Sequence, residues 1–566
     1  MTDKKGRKGI EVIMQALKEE GVEYIFGYPG GTVIPLFDEF LNHDIKLIRV
    51  RHEQAAAHAA DGYARVSGKA AVVVVTSGPG ATNTITGIAT AAMDSIPMVI
   101  ISGQVKTPVI GTDAFQETNV LGVSRPVTKH NYLVKSIDQL PKILKEAFYI
   151  SQTGRPGPVL IDIPVDIQMM STTEKAPKKI MIPGYHLAEK IRPEEISNTW
   201  DMIAHSSRPM IYAGGGVNIA NAADELTLFA KTARIPVGMT LLGLGGFPEG
   251  HELSLGMMGM HGQFTANSAL SRTDLVITIG ARFDDRVTGK VETFLKQSKI
   301  IHIDIDPSVI NKIKPADIGI VGDVKDFLSQ INKIAKPLKT RDWLDELKET
   351  KKKHPLPNFD ETDCPQFKLR PEYIIGQFSR LTKGEATVVT DVGQHQMFIA
   401  QHFGFKQPRS ILTSGGLGTM GYCLPASIGA ALFVRDRPVI AISGDGGIQM
   451  NIQELATIKT YGLPVIIVIF NNGNLGMVKQ WQDFFWKKRR SGTLFNHNPD
   501  FIKLGEAYGI DSFRATKKEE VVPLITKALK LKKPVLLEFA IDEDAYVFPM
   551  IPPGGDLSEI IEGAGK

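Results

Sequence analysis

The stretch RPVIAISGDGGIQMNIQELATIKTYGLPVIIVIFNNG, residues 437–473, decides the fold class. It holds two short apolar runs, at 438–443 and 464–470, and between them a helical pattern that a glycine ends. We therefore predict a strand, a helix and a second strand parallel to the first, with a right-handed crossover. Asp445 follows the first run and Asn472 the second, so both are expected at the sheet edge where ligands bind in open α/β folds.

Asp445 and Asn472 suit a magnesium site at that edge. A carboxylate and an amide carbonyl are hard oxygen donors, which Mg²⁺ prefers, and phosphate oxygens often complete its coordination. The glycines Gly444, Gly446 and Gly447 expose backbone N–H groups at a helix start, where a phosphate is favoured. The pattern indicates a Mg²⁺-bridged diphosphate. The alternative is two unrelated turns, because Asp-Gly and Asn-Gly are common in turns.

The same alternation of strands and helices continues along almost the whole chain. It predicts an α/β fold with parallel sheets covered by helices on both faces. Two segments rich in lysine and proline, at about 168–192 and 336–371, are typical of linkers. We expect three doubly wound domains and a C-terminal tail, at residues 1–170, 190–340, 370–550 and 551–566. Similar strand, glycine turn and helix units in the first and third domains hint at duplication.

The composition excludes several classes of protein. The net charge of +4 is small for 566 residues and its basic residues are scattered, which argues against nucleic-acid binding. Two cysteines, Cys364 and Cys423, cannot build a zinc site or a disulfide framework. The N-terminus lacks the apolar core of a signal peptide, and no apolar run is long enough to span a membrane. We expect a cytoplasmic protein.

Glu53 is the candidate acid of the first domain, in the stretch RHEQAAAHAADGYARVSG at 51–68. The stretch does not match the zinc motif H-E-x-x-H, because Ala56 stands where the second histidine is required. From the residues alone, an acid in the first turn of a helix, stabilised by the helix dipole, explains Glu53 best.

The Asp-Gly-Gly and Asn-Asn pair at this spacing resembles the motif of thiamine-diphosphate-dependent enzymes. The resemblance implies that the diphosphate belongs to thiamine, and that the side chains of Asp445 and Asn472 bind Mg²⁺ together with the backbone carbonyl of Asn474. It makes Glu53 the acid that activates the cofactor through its pyrimidine ring, and we expect such an acid to be largely buried. The other residues implied in thiamine diphosphate binding are Gln394, His395, Gly418, Met420, Gly446, Gly447 and Met477.

Two of these assignments leave alternatives open. Met420 is equally compatible with ordinary core packing. The segment GLGTMG at 416–421 also fits G-x-G-x-x-G, with Asp436 beyond it, which is typical of a dinucleotide-binding oxidoreductase. That motif alone is weak, because the segment before it is a poor buried strand and the interpretation gives Asp445 and Glu53 no role.

The central block repeats strands that end in glycines and acids, such as YAGGGVN at 212–218 and IIHIDIDP at 300–307. This pattern suits a nucleotide-like ligand, although a cofactor-free spacer domain is the alternative. RFDDRVTG at 282–289, with GMHG at 259–262, GRPGPV at 154–159 and FGYPGG at 26–31, resembles the acetohydroxyacid synthase family, and the resemblance runs from about residue 8 to 550. It implies an FAD that is not reduced in turnover, along Arg155, Gly214, Gly215, Gly216, His261, Arg282, Asp285, Arg286, Asp304 and Asp323.

Residues on the substrate side follow from the same resemblance. Phe115 and Gln116, in GTDAFQE at 111–117, are implied to face the reacting centre from the neighbouring subunit, together with Gly30. Trp481, Arg286 and Met260 are implied to meet the substrate, and Trp481 to favour 2-ketobutyrate over pyruvate. The alternative for Trp481 is an aromatic on a helix surface that packs on the next domain. Two departures, Val165 where the family often has lysine and Lys106 where it often has proline or a small residue, put details of the substrate channel in doubt.

The implied reaction joins two 2-ketoacids with loss of CO₂. Pyruvate is decarboxylated, and the remaining two-carbon unit joins a second pyruvate to give 2-acetolactate, or 2-ketobutyrate to give 2-aceto-2-hydroxybutyrate. The resemblance further implies a homodimer or dimer of dimers with active sites between subunits, and a small regulatory subunit. The alternatives are another enzyme that uses FAD and thiamine, such as pyruvate oxidase, and a catalytically silent paralogue.

Overall fold

The computed structural model describes residues 6–356 and 368–563, so Cys364 lies outside the described residues. Three six-stranded parallel sheets follow one another along the chain, and helices cover them. The predicted fold class is confirmed. Short 3₁₀ segments join several elements, at Gly31–Val33, Phe40–Asn42, Thr107–Val109, Arg125–Val127, Ile137–Gln139, Leu241–Gly243 and Ile452–Glu454.

The first sheet has the order β3-β2-β4-β5-β7-β6, and β1 pairs with β8 beside it. The strands are β1 (Arg7–Lys8), β2 (Tyr24–Tyr28), β3 (Lys46–Arg49), β4 (Ala71–Val75), β5 (Met98–Gln104), β6 (His130–Leu133), β7 (Pro158–Pro164) and β8 (Ser171–Thr172). The helices are α1 (Gly9–Glu19), α2 (Ile34–Glu39), α3 (Glu53–Ser67), α4 (Pro79–Thr82), α5 (Ile85–Met93), α6 (Val120–Ser124), α7 (Leu140–Gln152) and α8 (Val165–Met169). Every residue of β4 is buried, which explains its unbroken apolar sequence AVVVV.

The second sheet has the order β11-β10-β9-β12-β13-β14, the arrangement of dinucleotide-binding folds. Its strands are β9 (Pro209–Ala213), β10 (Val237–Met239), β11 (Ser254–Met257), β12 (Leu275–Ile279), β13 (Lys299–Asp304) and β14 (Ile318–Val321). Its helices are α9 (Pro193–Ala204), α10 (Gly215–Ile219), α11 (Ala223–Ala233), α12 (Phe264–Arg272), α13 (Asp285–Thr288), α14 (Val324–Ile331) and α15 (Arg341–Lys353). The strand order reverses between β9 and β12, so a crevice is expected there.

The third sheet has the order β16-β15-β17-β18-β20-β19. Its strands are β15 (Thr387–Thr390), β16 (Ile411–Leu412), β17 (Val439–Gly444), β18 (Val465–Asn471), β19 (Asp511–Ala515) and β20 (Val535–Ala540). Its helices are α16 (Pro371–Thr382), α17 (Gln394–His402), α18 (Cys423–Phe433), α19 (Asp445–Ile448), α20 (Leu455–Thr460), α21 (Gly476–Phe485), α22 (Phe501–Ala507) and α23 (Lys518–Leu531). When the six strands of each sheet are numbered in chain order, this sheet and the first both have the order 2-1-3-4-6-5. The shared topology supports the hint of duplication.

Two predicted segments differ from the structure. The helix expected between β17 and β18 is broken into α19, a 3₁₀ turn and α20, because Asp445 itself starts a one-turn helix. The predicted linker at 336–371 contains the 13-residue helix α15. Its only buried residues are Trp343 and Leu347, one turn apart, so the charged residues around them concealed the helical pattern.

Helices α3 and α18 join the first and third sheets. Helix α18 is buried on all sides, and a Cβ atom added at Gly429 would collide with the carbonyl oxygen of Ala59 on α3. In the same way, a Cβ atom at Gly62 would collide with the carbonyl oxygen of Ala426. The two backbones therefore approach as closely as they do because both helices carry glycine and alanine at the contact.

The predicted C-terminal tail packs on the second sheet. Ile551 and Leu557 are buried in an apolar cluster with residues of that sheet and its helices, and the backbone N–H of Ile551 donates to the carbonyl of Met260 at 2.7 Å. The tail therefore belongs to the folded body and connects the third sheet to the second.

Candidate active site

One cavity of about 1100 Å³ lies where the second and third sheets face each other, beside the end of α5. Loops that follow the carboxyl ends of β9, β12, β15, β17 and β18 line it. The cavity lining includes the predicted residues Arg155, Gly215, Gly216, Met260, His261, Arg282, Asp285, Arg286, Asp304, Asp323, Gln394, His395, Gly418, Met420, Asp445, Gly446, Gly447, Asn472, Asn474, Met477 and Trp481.

Asp445 and Asn472 lie at adjacent loop tips in this cavity. Strands β17 and β18 are hydrogen-bonded neighbours, with Gly444 opposite Phe470, so the residue after each strand emerges at the same edge. The carboxylate Oδ2 of Asp445 accepts the backbone N–H of Gly473 at 2.9 Å, which fixes one tip to the other. Burial raises the pKa of Asp445 to about 6.

The polar groups around these tips fit a magnesium ion with a phosphate ligand. Among the described residues, the side-chain oxygen Oδ1 of Asn474 and the ring nitrogen Nε2 of His395 are buried without a hydrogen-bond partner. No group of three or more histidine, cysteine, aspartate and glutamate side chains that could hold a metal occurs in 6–356 and 368–563. The donor set is thus one carboxylate with amide and carbonyl oxygens, which suits Mg²⁺ completed by phosphate and water, and not zinc.

The loop 414–421 projects Gly418 and Met420 towards the cavity. Gly418 is exposed and has a φ of +71°, and Met420 is half-buried, so Met420 is not an ordinary core residue. The carboxylate of Asp391 accepts the backbone N–H of Gly421 at 2.9 Å and anchors the end of the loop. Burial raises the pKa of Asp391 to about 6.

The alternative interpretation of 416–421 as a dinucleotide motif does not agree with this geometry. The strand before it, β16, has two residues and lies at the edge of the third sheet, whereas the strand order reverses between β15 and β17. The following helix begins at Cys423, after the last glycine of the motif. These glycines therefore do not form the strand-to-helix turn of a dinucleotide site.

Gln394 and His395 begin helix α17 at the floor of the cavity. The amide of Gln394 donates to Oε1 of Gln480 at 2.9 Å, which links α17 to α21. Burial lowers the pKa of His395 to about 4, so its ring is neutral at pH 7.

Glu53 lies apart from this cavity, at the first turn of α3. Its Oε2 accepts the side-chain amide of Asn83 at 3.0 Å. The side chain is half-buried, so the expectation of a largely buried acid is wrong for the single chain. The physical reason is its place at the N-terminal end of a helix, at the rim of the first sheet.

The predicted residues Gly30 and Gln116 lie beside the segment 76–80, next to Glu53. A Cβ atom added at Gly80 would lie 3.7 Å from Oε1 of Glu53, one at Gly30 would lie 2.5 Å from Cβ of Thr76, and one at Gly78 would lie 2.8 Å from the carbonyl oxygen of Gln116. Gln116 has a φ of +60°. Phe115 is 88% exposed. Among the described residues, therefore, the predicted site residues of one chain form two separate groups, one at the 76–83 segment and one at the cavity.

The glycines after β9 lie at the reversal point of the second sheet. A Cβ atom at Gly214 would collide with the carbonyl oxygen of Gly280, and one at Gly216 would lie 2.6 Å from Cα of Gly280. Gly215 and Gly216 line the cavity, and Gly214 is not among the described residues that line it. The glycines thus let the loops after β9 and β12 pack closely at the place where a dinucleotide pyrophosphate binds in this strand order.

Charged and polar groups surround that opening. Arg155 bonds Asp306 at 3.1 Å, and burial raises the pKa of Asp304 at the end of β13 to about 6. Burial lowers the pKa of His261 to about 4, and its Nδ1 is buried without a hydrogen-bond partner among the described residues. The carboxylate of Asp323 already accepts two backbone N–H groups as the N-cap of α14. Arg155 and the unpartnered ring nitrogen of His261 are thus the groups in this part of the cavity that could bind a nucleotide-like ligand.

Arg286, Met260 and Trp481 meet between the second and third sheets. The guanidinium carbon of Arg286 lies 5.9 Å from the centroid of the Trp481 ring, and its Nη1 lies 3.8 Å from Sδ of Met260. Trp481 is half-buried on α21 and lines the cavity. A cationic group beside an indole can receive a small carboxylate with an apolar substituent.

Comparison with known proteins identifies the family. Three family models match, described as the N-terminal TPP binding domain, the central domain and the C-terminal TPP binding domain of thiamine pyrophosphate enzymes, at residues 7–123, 196–331 and 391–539. The chain is 47% identical to a probable acetolactate synthase large subunit of Methanocaldococcus jannaschii, over 98% of this chain and 95% of that one. It is 46% and 45% identical to acetolactate synthase large subunits of Corynebacterium glutamicum and Haemophilus influenzae, over 98% of this chain and 90% and 98% of theirs.

This chain belongs to the acetolactate synthase large subunits. The predicted resemblance is confirmed, and the chain is an enzyme with thiamine pyrophosphate binding domains at both ends. No helix within 6–356 and 368–563 is long and apolar enough to cross a membrane.

Several residues at this candidate site cannot be predicted from the sequence. The amide of Asn498 donates to Oδ2 of Asp445 at 2.7 Å, and Gln480 accepts from Gln394 while its own amide donates to the carbonyl of Val547 at 3.1 Å. Asp94 contacts the loop 414–421 from the first domain. No local motif marks these residues, because their partners lie 53 to 322 positions away along the chain.

The two departures from the family pattern lie near each other at the surface of the first domain. Val165 starts α8, directly after β7, and Lys106 precedes a 3₁₀ turn that the carboxylate of Asp166 holds through the N–H of Thr107 at 3.1 Å. Lys106 is exposed and Val165 is half-buried. Neither lines the cavity, among the residues that the structure describes.

Proposed function

We propose that this chain catalyses the acetolactate synthase reaction. Pyruvate loses CO₂, and the remaining two-carbon unit joins a second pyruvate or 2-ketobutyrate, giving 2-acetolactate or 2-aceto-2-hydroxybutyrate. The observation that carries the proposal is the meeting of the Asp445 and Asn472 tips in a cavity that also gathers Trp481 and Arg286. These products belong to the first common step of branched-chain amino-acid biosynthesis.

Thiamine diphosphate and Mg²⁺ are the proposed cofactors at the third sheet. Asp445, Asn472 and the backbone carbonyl of Asn474 would hold the metal, and the N–H groups of Gly446 and Gly447 with His395 and Gln394 would receive the diphosphate. When bound, thiamine diphosphate supplies a carbon nucleophile and an electron sink for decarboxylation. Met420 and Met477 would support its rings, and the Gly418 carbonyl would accept from its amine.

Glu53 is the proposed acid that holds a proton at the pyrimidine ring. The side-chain amide of Asn83 donates to its carboxyl, and no cationic side chain bonds that carboxyl among the described residues. This environment suits a group that must exchange a proton. Gly30, Phe115 and Gln116 would face the reacting carbon from the same side.

FAD is the proposed third cofactor, with a structural role. The strand order of the second sheet, the close backbone at Gly214 and Gly216, and the unpartnered ring nitrogen of His261 support it. Arg155, Gly215, Arg282, Asp285, Arg286, Asp304 and Asp323 would line its length.

Arg286 and Trp481 are the proposed substrate residues, with Met260. The guanidinium of Arg286 would hold the carboxylate of the second 2-ketoacid. The Trp481 indole would reward the additional methylene of 2-ketobutyrate by about 1–3 kcal/mol, which is the range that one methylene gives in an apolar pocket.

The proposed assembly is a homodimer or a dimer of dimers in the cytoplasm. Glu53 and Asp445 belong to separate half-sites of one chain, so a second copy would complete each site. A small regulatory subunit is a further proposed partner, because the relatives are named large subunits.

The test is a product assay on the purified protein. With pyruvate, Mg²⁺ and thiamine diphosphate we expect 2-acetolactate and CO₂, and with 2-ketobutyrate added we expect 2-aceto-2-hydroxybutyrate. The purified protein should be yellow and release oxidised FAD. Formation of acetate or acetyl phosphate with reduction of an oxidant, and no 2-acetolactate, would contradict the proposal in favour of a pyruvate oxidase.

A further inference from the structure

A buried ionic cluster joins the first domain to the loop 414–421. The guanidinium of Arg65 bonds Asp61 at 2.6 Å through Nε and Asp94 at 2.7 Å through Nη2. The hydroxyl of Tyr422 donates to Oδ1 of Asp61 at 2.5 Å. All four side chains are buried, and the guanidinium and Asp94 reach only the wall of the cavity, so the two carboxylates share one cation with little exposure to water.

The two carboxylates have different second partners. Asp94 accepts the backbone N–H of Gly416 at 2.8 Å and that of Gly415 at 3.0 Å, whereas Asp61 contacts Tyr422. A carboxylate that accepts two backbone N–H groups and a guanidinium forms charge-assisted hydrogen bonds, which are stronger than neutral ones. Asp94 therefore fixes the backbone of the loop, and Asp61 does not.

A pair of threonine hydroxyls attaches the loop 414–421 a second time to the end of α5. The hydroxyl of Thr90, one turn before Asp94, lies 2.8 Å from that of Thr419. Gly416 also packs so closely on Met93 that a Cβ atom there would collide with its side chain. The end of α5 thus holds the loop on both sides of Gly418, the residue exposed to the cavity.

We propose that Asp94 is a positioning residue for the thiamine ring, acting through the loop 414–421. This inference rests on the proposed function, because that function assigns Gly418 and Met420 to the ring. Asp94 does not need to touch the cofactor. It sets the place of the backbone carbonyl and the thioether that do, and Arg65 holds Asp94 in its rotamer.

Asp61 provides a matched control for Asp94. Asp94→Asn keeps the shape but replaces one acceptor oxygen by an NH₂ group. That group faces the N–H of Gly416 in one orientation, and the N–H of Gly415 with the guanidinium in the other, so the loop loses an anchor in either case. Asp61→Asn removes the same charge from the same arginine and leaves the contacts to Gly415 and Gly416 in place. A merely structural role would affect both variants alike.

The experiment is calorimetric titration of thiamine diphosphate, with MgCl₂ in excess, into the wild-type chain and the two variants, with Tm measured for each. We expect both variants to lower Tm. We expect the Kd for thiamine diphosphate to rise about tenfold in Asp94→Asn, the equivalent of one lost charge-assisted hydrogen bond, and to change less than about twofold in Asp61→Asn.

Equal values of Kd in the two variants would overturn the inference. If the Asp variants do not fold, Thr90→Val and Thr84→Val replace them. Thr84 is the control because its hydroxyl donates to the nearby carbonyl of Ala81 at 2.6 Å, and its hydroxyl makes no hydrogen bond to the loop within 6–356 and 368–563. Thr90→Val is then expected to weaken binding and Thr84→Val is not, and equal binding would again overturn the inference. A wild-type chain that binds no thiamine diphosphate would overturn the proposed function as well.

Discussion

At the scale of single residues, Glu53 provides the sharpest test of the chemistry. The substitution Glu53→Gln keeps the hydrogen bond from Asn83 but removes the transferable proton. Because positioned acid–base groups contribute roughly 10²–10⁴-fold to rate, we expect kcat to fall by at least about a hundredfold. Binding of thiamine diphosphate, measured by calorimetry, should remain within a few-fold of wild type.

Asn83→Ala serves as a graded control for that prediction. It leaves the carboxyl in place and removes its amide partner, so a smaller loss of kcat is expected. Unchanged turnover in Glu53→Gln would remove this residue from the mechanism.

The sequence predicts the positions of some site residues but not the contacts of others. The places of Asp445 and Asn472 followed from the sequence, because the residue after each of two neighbouring parallel strands must emerge at one edge. The contacts of Asn498 and Asp94 did not, because they join segments far apart in the chain and neither residue stands in a recognisable motif. The exposure of Glu53 could not be predicted either, since it depends on which surfaces one chain covers by itself.

At the scale of elements, the contact between α3 and α18 requires glycine. Gly62→Ala would place a methyl group against the carbonyl of Ala426, and the rigid backbones cannot separate without disturbing the packing. Overpacking of this kind costs about 1–3 kcal/mol, so we expect a lower Tm in thermal unfolding.

Gly376 on α16 is the matched control, because a Cβ atom there would meet nothing within 4 Å. Gly376→Ala should stabilise the protein by about 0.5–1 kcal/mol through helix propensity alone. A Tm for Gly62→Ala equal to or above that of Gly376→Ala would show that the two helices are not packed as described.

The pair β5 and β7 contains a buried carboxyl that makes stability depend on pH. Asp162 receives hydrogen bonds from Ser102 at 2.7 Å and Gln104 at 2.9 Å, yet burial raises its pKa to about 7 from an ordinary value of 3.8. The folded protein therefore retains a proton here that the unfolded chain has released. Ionisation of Asp162 destabilises the folded state. Its contribution to the free energy of unfolding therefore decreases as the pH rises from about 4 to about 7.

Asp162→Asn should remove this dependence. The amide can donate to the Ser102 hydroxyl while its oxygen accepts from Gln104, so the variant imitates the protonated acid. We expect the Tm of the variant minus that of wild type to be more positive at pH 8 than at pH 5, as measured by calorimetric scans. The same difference at both values would contradict the raised pKa.

Sequence patterns predicted elements well where they were apolar and poorly where they were charged. Strand β17 was expected at 438–443 and lies at Val439–Gly444, because its continuous apolar run reflects burial on both faces. Helix α15 was mistaken for a linker, since only Trp343 and Leu347 face the core. The break between α19 and α20 was also missed, because the periodic pattern does not reveal that Asp445 starts a separate turn.

At the scale of the whole molecule, the two half-sites of one chain predict complementation. Glu53→Gln and Asp445→Asn should each be nearly inactive as homodimers. A heterodimer of the two would contain one site with both wild-type residues, so mixing the variants by denaturation and refolding should restore up to about one quarter of wild-type activity. Each variant refolded alone is the control, and no recovery in the mixture would contradict a site shared between subunits.

The central claim is that Asp445 and Asn472 hold one divalent ion, and that this ion anchors the diphosphate of thiamine. Its most direct test is calorimetric titration of thiamine diphosphate into wild type and Asp445→Asn, each in excess MgCl₂ and again in EDTA. We predict strong binding by the wild-type protein with MgCl₂ and binding at least about a hundredfold weaker in the other three titrations, because a phosphate ligand then lacks its bridging cation. Equal affinity in EDTA, or in Asp445→Asn with MgCl₂, would contradict the account.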